Sequence, residues 1–249
     1  MPKSRCFLAL LCLILVSKPS VAEEKPEAPR IALANPFVLA AGATTKVTVR
    51  GWRLNTDLQA KSTSPDVAIK VIRHDKAPIP NGLDAKQVGD TLIEMEVTLP
   101  AGFSSERVPV VLTANGQDSA PYEFIAGGSF PVLAETEPNE GFRQAQPIAV
   151  PQIVDGQIHA DRNVDVFSID LATPQHLAVE VIARRQGSAL DSVLTIFDAK
   201  GLKLAVNDDT DTADSKINLN LAVGRYYIVL QDAHDHGGPA HPYRLVIQN

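Results

Sequence analysis

Four carboxylate or amide side chains crowd one short segment, Glu135-Thr-Glu-Pro-Asn-Glu140. Glu135, Glu137, Asn139 and Glu140 are hard donors of the type calcium uses, which gathers oxygens from closely spaced carboxylates, amide carbonyls and backbone. Carboxylates at this density repel one another unless a cation neutralises them. Pro138 keeps the segment from continuing as helix. The competing reading is a turn capped by Glu137 and Asn139, with the other acids solvated.

Two other groupings invite metal chemistry. Asn207 to Asp211, with Asp214, resembles the start of an EF-hand loop. It fails that pattern because Thr212 stands where glycine is needed and Asn218 where a bidentate glutamate is needed. A solvated hairpin loop is the better reading. His234, His236 and His241 could pinch zinc or copper with Asp232 or Asp235. Gly237-Gly238-Pro239 between them reads instead as a polar hairpin tip. No G-x-S-x-G elbow, H-E-x-x-H helix, Walker loop or G-x-G-x-x-G turn occurs in the sequence. The expected role is binding without catalysis.

The N-terminus sets the expected compartment. Lys3 and Arg5 precede an apolar stretch from Cys6 to Val16, too short to span a bilayer. Ser20-Val21-Ala22 follows with small residues suited to cleavage, so residues 1–22 read as a secretory signal peptide. A retained anchor is the alternative. Both cysteines, Cys6 and Cys12, lie in this leader, so the mature chain is expected to have neither disulfide nor thiolate site. Rigidity must then come from the cores or from bound ions. Cleavage takes three of the 23 basic residues and none of the 29 acidic ones, moving the formal charge from −6 to −9. That balance, with no Lys/Arg-rich run, argues against nucleic-acid or anionic-membrane partners. The expected location is secreted, periplasmic or cell envelope, with no membrane span in the mature chain.

The elements that would position these groups are strands. Lys46 to Arg50 and Thr91 to Leu99 alternate polar and apolar residues, with one slip at Leu92-Ile93. Short apolar runs at 67–72, 108–113 and 122–125 add three more. Pro80-Asn81-Gly82, Pro100-Ala-Gly102 and Asn115-Gly116 supply turns between them. In the second half seven strands are expected, at 153–158, 164–170, 176–183, 192–198, 217–221, 225–231 and 243–247. Asp198-Ala-Lys-Gly201 forms a tight hairpin. Such strands bury one face each and demand a partner sheet. The length suits two domains. We expect a flexible lead-in at 23–30, a sandwich at 31–126, a linker at 127–134 and a second sandwich at 135–249. The sole tryptophan, Trp52, reads as a packing residue at a strand end or as a stacking platform for sugar or peptide.

The E-P-N opening, Asn163-Val-Asp-Val-Phe167, Gly224-Arg-Tyr-Tyr-Ile228 and Tyr243-Arg-Leu-Val-Ile247 together resemble the bacterial pre-peptidase C-terminal domain, a small jelly-roll-like sandwich appended to exported proteins. The resemblance covers about the last 115 residues. It implies that the acidic segment docks beside the D-x-D-x-F strand and that calcium binds at the junction. The implied ligands are Glu135, Glu137, Asn139 and Asp165, with Asp161 and Asn163 as further candidates. Asn163 departs from the usual Asp, removing one carboxylate. In the front half, V-T-V-R-G-W-R-L at 47–54 is similar to immunoglobulin-like IPT/TIG domains. The sequence thus predicts an all-β chain of two tandem antiparallel sandwiches, contacting extracellular protein or polysaccharide. The alternatives are a structural subunit or spacer of an envelope assembly, a protease-associated maturation factor, or a hydrolase.

Overall fold

The computed structural model describes residues 27–55, 57–126, 130–210 and 212–249. The signal peptide, most of the lead-in, Gly127 to Ser129 of the linker, and Asp211 lie outside the described residues. The front strands are β1 (Arg30–Asn35), β2 (Val38–Leu39), β3 (Thr44–Trp52), β4 (Gln59–Ser62), β5 (Ala68–Lys76), β6 (Thr91–Thr98), β7 (Arg107–Ala114), β8 (Gln117–Asp118) and β9 (Tyr122–Ala126). One turn of helix, α1 (Ala85–Val88), sits between β5 and β6. The rear strands are β10 (Val132–Ala134), β11 (Gln146–Pro147), β12 (Gln152–Gln157), β13 (Val164–Leu171), β14 (Gln175–Ile182), β15 (Ser192–Asp198), β16 (Lys203–Asn207), β17 (Lys216–Leu221), β18 (Gly224–Asp232) and β19 (Pro242–Gln248). A single 3-10 turn, Arg184–Gln186, follows β14. The chain is all-β.

Alternation decides which face is buried. In β6, Ile93, Met95 and Val97 point inward while their neighbours do not, as a period of two requires. Sheet β1-β3-β6-β5 faces sheet β2-β9-β7-β4, and their inward residues form one core that includes Val47, Met95, Leu112 and Phe124. Sheet β10-β12-β19-β14-β17 faces sheet β11-β13-β18-β15-β16 over a second core that includes Phe167, Leu177, Ile196 and Leu245. Each of these buried side chains contributes about 1.5–3 kcal/mol relative to exposure. Two separate cores make two sandwiches.

Most pairs are antiparallel, but β2–β9, β10–β12 and β11–β13 run parallel. These short strands lie at sheet edges, where the chain enters alongside an existing strand without a hairpin. The sheets are therefore mixed at their margins. Edge position also explains Ile72. A register shift between Val71 and Arg73 inserts one residue into β5, leaving Ile72 exposed. The turn at Asp198 to Gly201 closes as the sequence predicts, and it joins β15 to β16, a strand the sequence reading did not give. Asp198 Oδ1 accepts from the Lys200 and Leu202 amides at 2.8 and 2.9 Å, and Gly201 takes φ +82°.

The two sandwiches meet directly. Tyr122 Oη of β9 donates to the Gln186 carbonyl at 2.8 Å, and Asn81 Nδ2 donates to Asp161 Oδ2 at 3.1 Å. With its amide oriented to match its neighbours, Gln186 donates to the Glu123 carbonyl and accepts from Arg107 Nη1, at 3.2 and 3.0 Å. Among the described residues no helix is long and apolar enough to cross a membrane.

Candidate functional site

The acidic segment is fixed at both ends by backbone. Strand β10 pairs with β12 and leads directly into Glu135, whose amide donates to the Asp155 carbonyl at 2.9 Å. Four residues on, the Asn139 carbonyl accepts from the Val166 amide of β13 at 3.0 Å. The segment therefore lies across the rims of both rear sheets. Its side chains face Asp165 of β13 and Tyr243 of β19.

Ligand oxygens of Glu135, Glu137 and Asp165 lie within 4.8 Å of one another. Among the described residues this is the only such group of three His, Cys, Asp or Glu side chains. Glu135 Oε2 accepts from the Gln157 amide at 2.8 Å, and its Oε1 accepts from Asn139 Nδ2 at 3.1 Å. Glu137 accepts from the Asn139 amide at 3.0 Å and meets His159 Nδ1 at 2.6 Å. Gly156 permits this crowding. A Cβ there would stand 2.5 Å from the Tyr243 ring and 2.7 Å from Glu135 Oε2.

Asp165, Asn139 and Tyr243 are fully or almost fully buried. Tyr243 Oη lies 3.0 Å from Glu135 Oε1 and 2.8 Å from Asp165 Oδ2. One hydroxyl proton cannot serve both carboxylates, so a proton or another positive charge is needed nearby. Burial pushes the Asp165 carboxyl far above its usual range, and the neighbouring Glu135 pushes it further. Burial likewise raises the Tyr243 phenol, reinforced by the Asp165 and Glu135 charges. Asp165 Oδ1 and Asn139 Oδ1 are both buried acceptors without a hydrogen-bond partner. An unsatisfied buried oxygen costs about 1–3 kcal/mol. A hard divalent cation answers both needs, because it neutralises the carboxylates and takes the two orphaned oxygens as ligands. All the donors except His159 are oxygen, which suits calcium or magnesium. The residues present fit such an ion.

The other residues expected here stand elsewhere. Asp161 is not among the converging carboxylates. Its Oδ1 accepts from the Gly237 amide at 3.2 Å and its Oδ2 from Asn81, which ties it to the junction between the sandwiches. Asn163 Oδ1 accepts from the His159 amide at 3.0 Å, which positions the histidine beside Glu137. Glu140 is exposed. Sequence reading missed His159, Gln157 and Tyr243 as parts of the site. Tyr243 was visible only as the first letter of the closing strand, with nothing to say that its hydroxyl turns toward β13.

Two loop expectations change. Asp214 is buried, not solvated. Its carboxylate accepts from the amides of Ala183, Arg184 and Arg185, at 3.1, 2.6 and 3.4 Å, and so caps the 3-10 turn. His241 is also fully buried, with neither ring nitrogen hydrogen-bonded. Burial pushes its pKa down, opposed by Asp232 and aided by His236. Only His234 and His236 belong to the loop tip, where their rings lie 6.0 Å apart. Asp232 is occupied by the amides of Asp191, His234 and His236. Trp52 stacks under Arg30, whose Cζ is 3.6 Å from the ring centroid, and donates to the Ala85 carbonyl at 2.8 Å.

No family model matches the chain. A protein of Deinococcus radiodurans described as a probable subtilase-type serine protease is 35% identical over 96 residues, 37% of this chain. The match spans only 13% of that protein's length. The pre-peptidase C-terminal domain of a Bacillus anthracis collagenase aligns in full with 46% of this chain, at 15% identity and a TM-score of 0.36. A surface glycan-binding protein of Prevotella bryantii aligns over 90% of this chain and 77% of its own, at 11% identity and a TM-score of 0.24. The C-terminal half of the chain resembles pre-peptidase C-terminal domains.

Proposed function

We propose that this chain is an exported, non-catalytic accessory protein. Its rear sandwich, residues 135–249 with the edge strand β10 taken from the expected linker, is fixed by calcium, and it contacts extracellular protein or polysaccharide together with a front sandwich of residues 31–126. One observation carries the calcium reading: the buried, partnerless oxygens of Asp165 and Asn139 beside Glu135 and Glu137. Calcium would be held by Glu135, Glu137, Asn139 and Asp165, and would supply charge neutralisation rather than chemistry on a substrate. The acids themselves hold the Asn139 and Gln157 amides and meet the Tyr243 hydroxyl. Those duties are architectural.

Support for a contact role comes from the outer face of the β11-β13-β18-β15-β16 sheet. Phe142 stacks on Tyr227 with centroids 4.3 Å apart and meets Phe197 at 5.4 Å, while remaining 38% exposed. An aromatic strip of this type suits a protein or sugar partner. The second reading, a subunit of a larger assembly, is favoured by the adjoining edge strand β16. Leu204 and Val206 there are 40% and 53% exposed.

Calorimetric titration of the full chain with calcium tests the first part. The expected result is one site, lost in Asp165→Asn and Glu137→Gln. Absence of binding by the unaltered chain overturns the calcium reading. Sedimentation of the chain alone separates the two contact roles, since an assembly subunit self-associates and a binding protein does not.

A further inference from the structure

A cleft of about 410 Å³ runs between the sandwiches, far in sequence from the acidic segment. Its only charged lining residues are two arginines, Arg30 of β1 and Arg184 of the 3-10 turn, in a chain of formal charge −6. Neither forms an ion pair among the described residues. The neighbouring arginines differ in this respect: Arg53 pairs with Glu27, and Arg185 pairs with Glu180 and Asp214. Arg30 sits over the Trp52 ring, and Arg184 donates one bond, from Nη1 to the Ala189 carbonyl at 3.2 Å. Most of the ten guanidinium N–H donors of the pair are left for a ligand.

The walls are preset. A Cβ at Gly187 would run into the Ala32 carbonyl oxygen, so the two backbones touch at the cleft floor. Tyr122 locks the same turn from behind. Apolar Ile31, Leu83 and Val88 and the neutral polar Gln87 and Ser188 also line it. Gln87 uses its Oε1 to accept from the Asp84 amide at 2.9 Å, which leaves its amide nitrogen to donate.

We propose that this cleft binds the carboxylate of an acidic polysaccharide, a uronate unit, with Arg30 and Arg184 as its charge partners. The proposal deepens the polysaccharide-contact reading above and rests on it. Guanidinium forks match planar carboxylates in two parallel bonds. Gln87 meets ring hydroxyls, and the apolar lining of Ile31, Leu83 and Val88 meets the apolar sugar face, which a plain acidic peptide lacks. A neutral sugar would leave both guanidiniums unanswered.

Trp52 is the only tryptophan and lines the cleft, so its fluorescence reports occupancy directly. Trigalacturonate titrated into the full chain is expected to shift that emission saturably, whereas maltotriose is expected to leave it unchanged. Arg184→Ala should weaken trigalacturonate at least tenfold and Arg184→Lys less, with an unchanged melting temperature because the side chain is exposed. Added salt should weaken binding further. The cleft assignment is overturned if trigalacturonate gives neither emission change nor heat, if Arg184→Ala binds as well as the parent, or if triglutamate binds equally. Retention of neutral polysaccharide by the chain in that event would leave the broader reading standing, and retention of none would sink both.

Discussion

The two sandwiches bury charge in opposite ways. The front one encloses a cation, Arg50, whose Nε and Nη2 reach the carbonyls of Val88, Pro78 and Gly89 at 2.7–3.0 Å. Burial lowers its pKa, partly offset by Asp90, yet a guanidinium surrounded by carbonyls stays charged. The rear one pairs Arg244 with Asp155 at 2.6 Å, but leaves Asp165 beside Glu135 and Tyr243 with no cation of its own. Three backbone carbonyls hold the front cation as folded, although its Nη1 is left without a hydrogen-bond partner. A core that gathers carboxylates depends on a proton or a metal ion.

Disrupting either hydrophobic core gives the largest expected effect. Phe124→Ala in the front and Phe167→Ala in the rear each remove a fully buried ring and should cost about 3–5 kcal/mol. Denaturant melts of both variants would break the comparison if one of them proved silent. Next in size, calcium at a hundredfold excess over its dissociation constant should stabilise the rear sandwich by about 2.7 kcal/mol. Calcium should leave hydrogen-exchange protection of the front strands unchanged.

The same site fixes a pH sign. The folded-state pKa of Asp165 is raised, so its contribution in chelator is fully present below the unfolded value and is lost as pH rises through the folded one. From pH 5 to pH 7 the chelated parent should therefore lose melting temperature relative to Asp165→Asn, which keeps the opposing contribution of buried His241 but lacks the calcium response. Equal profiles for the chelated parent and Asp165→Asn would show that folding does not shift Asp165.

A smaller loss is expected at Asp214, where Ala would strip the acceptor from three amides and cost about 1–3 kcal/mol. Smallest of all is the exposed Asp170–Arg225 pair at 2.6 Å. Asp170→Ala should leave the melting temperature unmoved, because solvent screens the pair.

Long alternating strands were legible from residues alone. The inward set Leu177, Val179 and Val181 of β14 is fully buried. In the rear sandwich β10, β11 and β16 were not legible, just as β1, β2, β4 and β8 were not in the front. Strands β10 and β11 span three and two residues, too few for a period, and β16 turns Leu204 and Val206 outward at an edge. In the acidic segment, crowding made Glu135, Glu137 and Asn139 visible as a group. Nothing local linked them to His159 or Tyr243, because those contacts depend on strand register across the sandwich.

Composition and short-range pattern determined that this is an all-β chain with an oxygen-rich turn, since pleat alternation and turn chemistry act within a few residues. Only tertiary structure decided which acids share one buried space and which, like Asp161, serve the junction. It also decided that Arg30 and Arg184 face one cleft. Charge clusters form wherever packing brings distant backbones within a few ångströms, and no local rule encodes that distance.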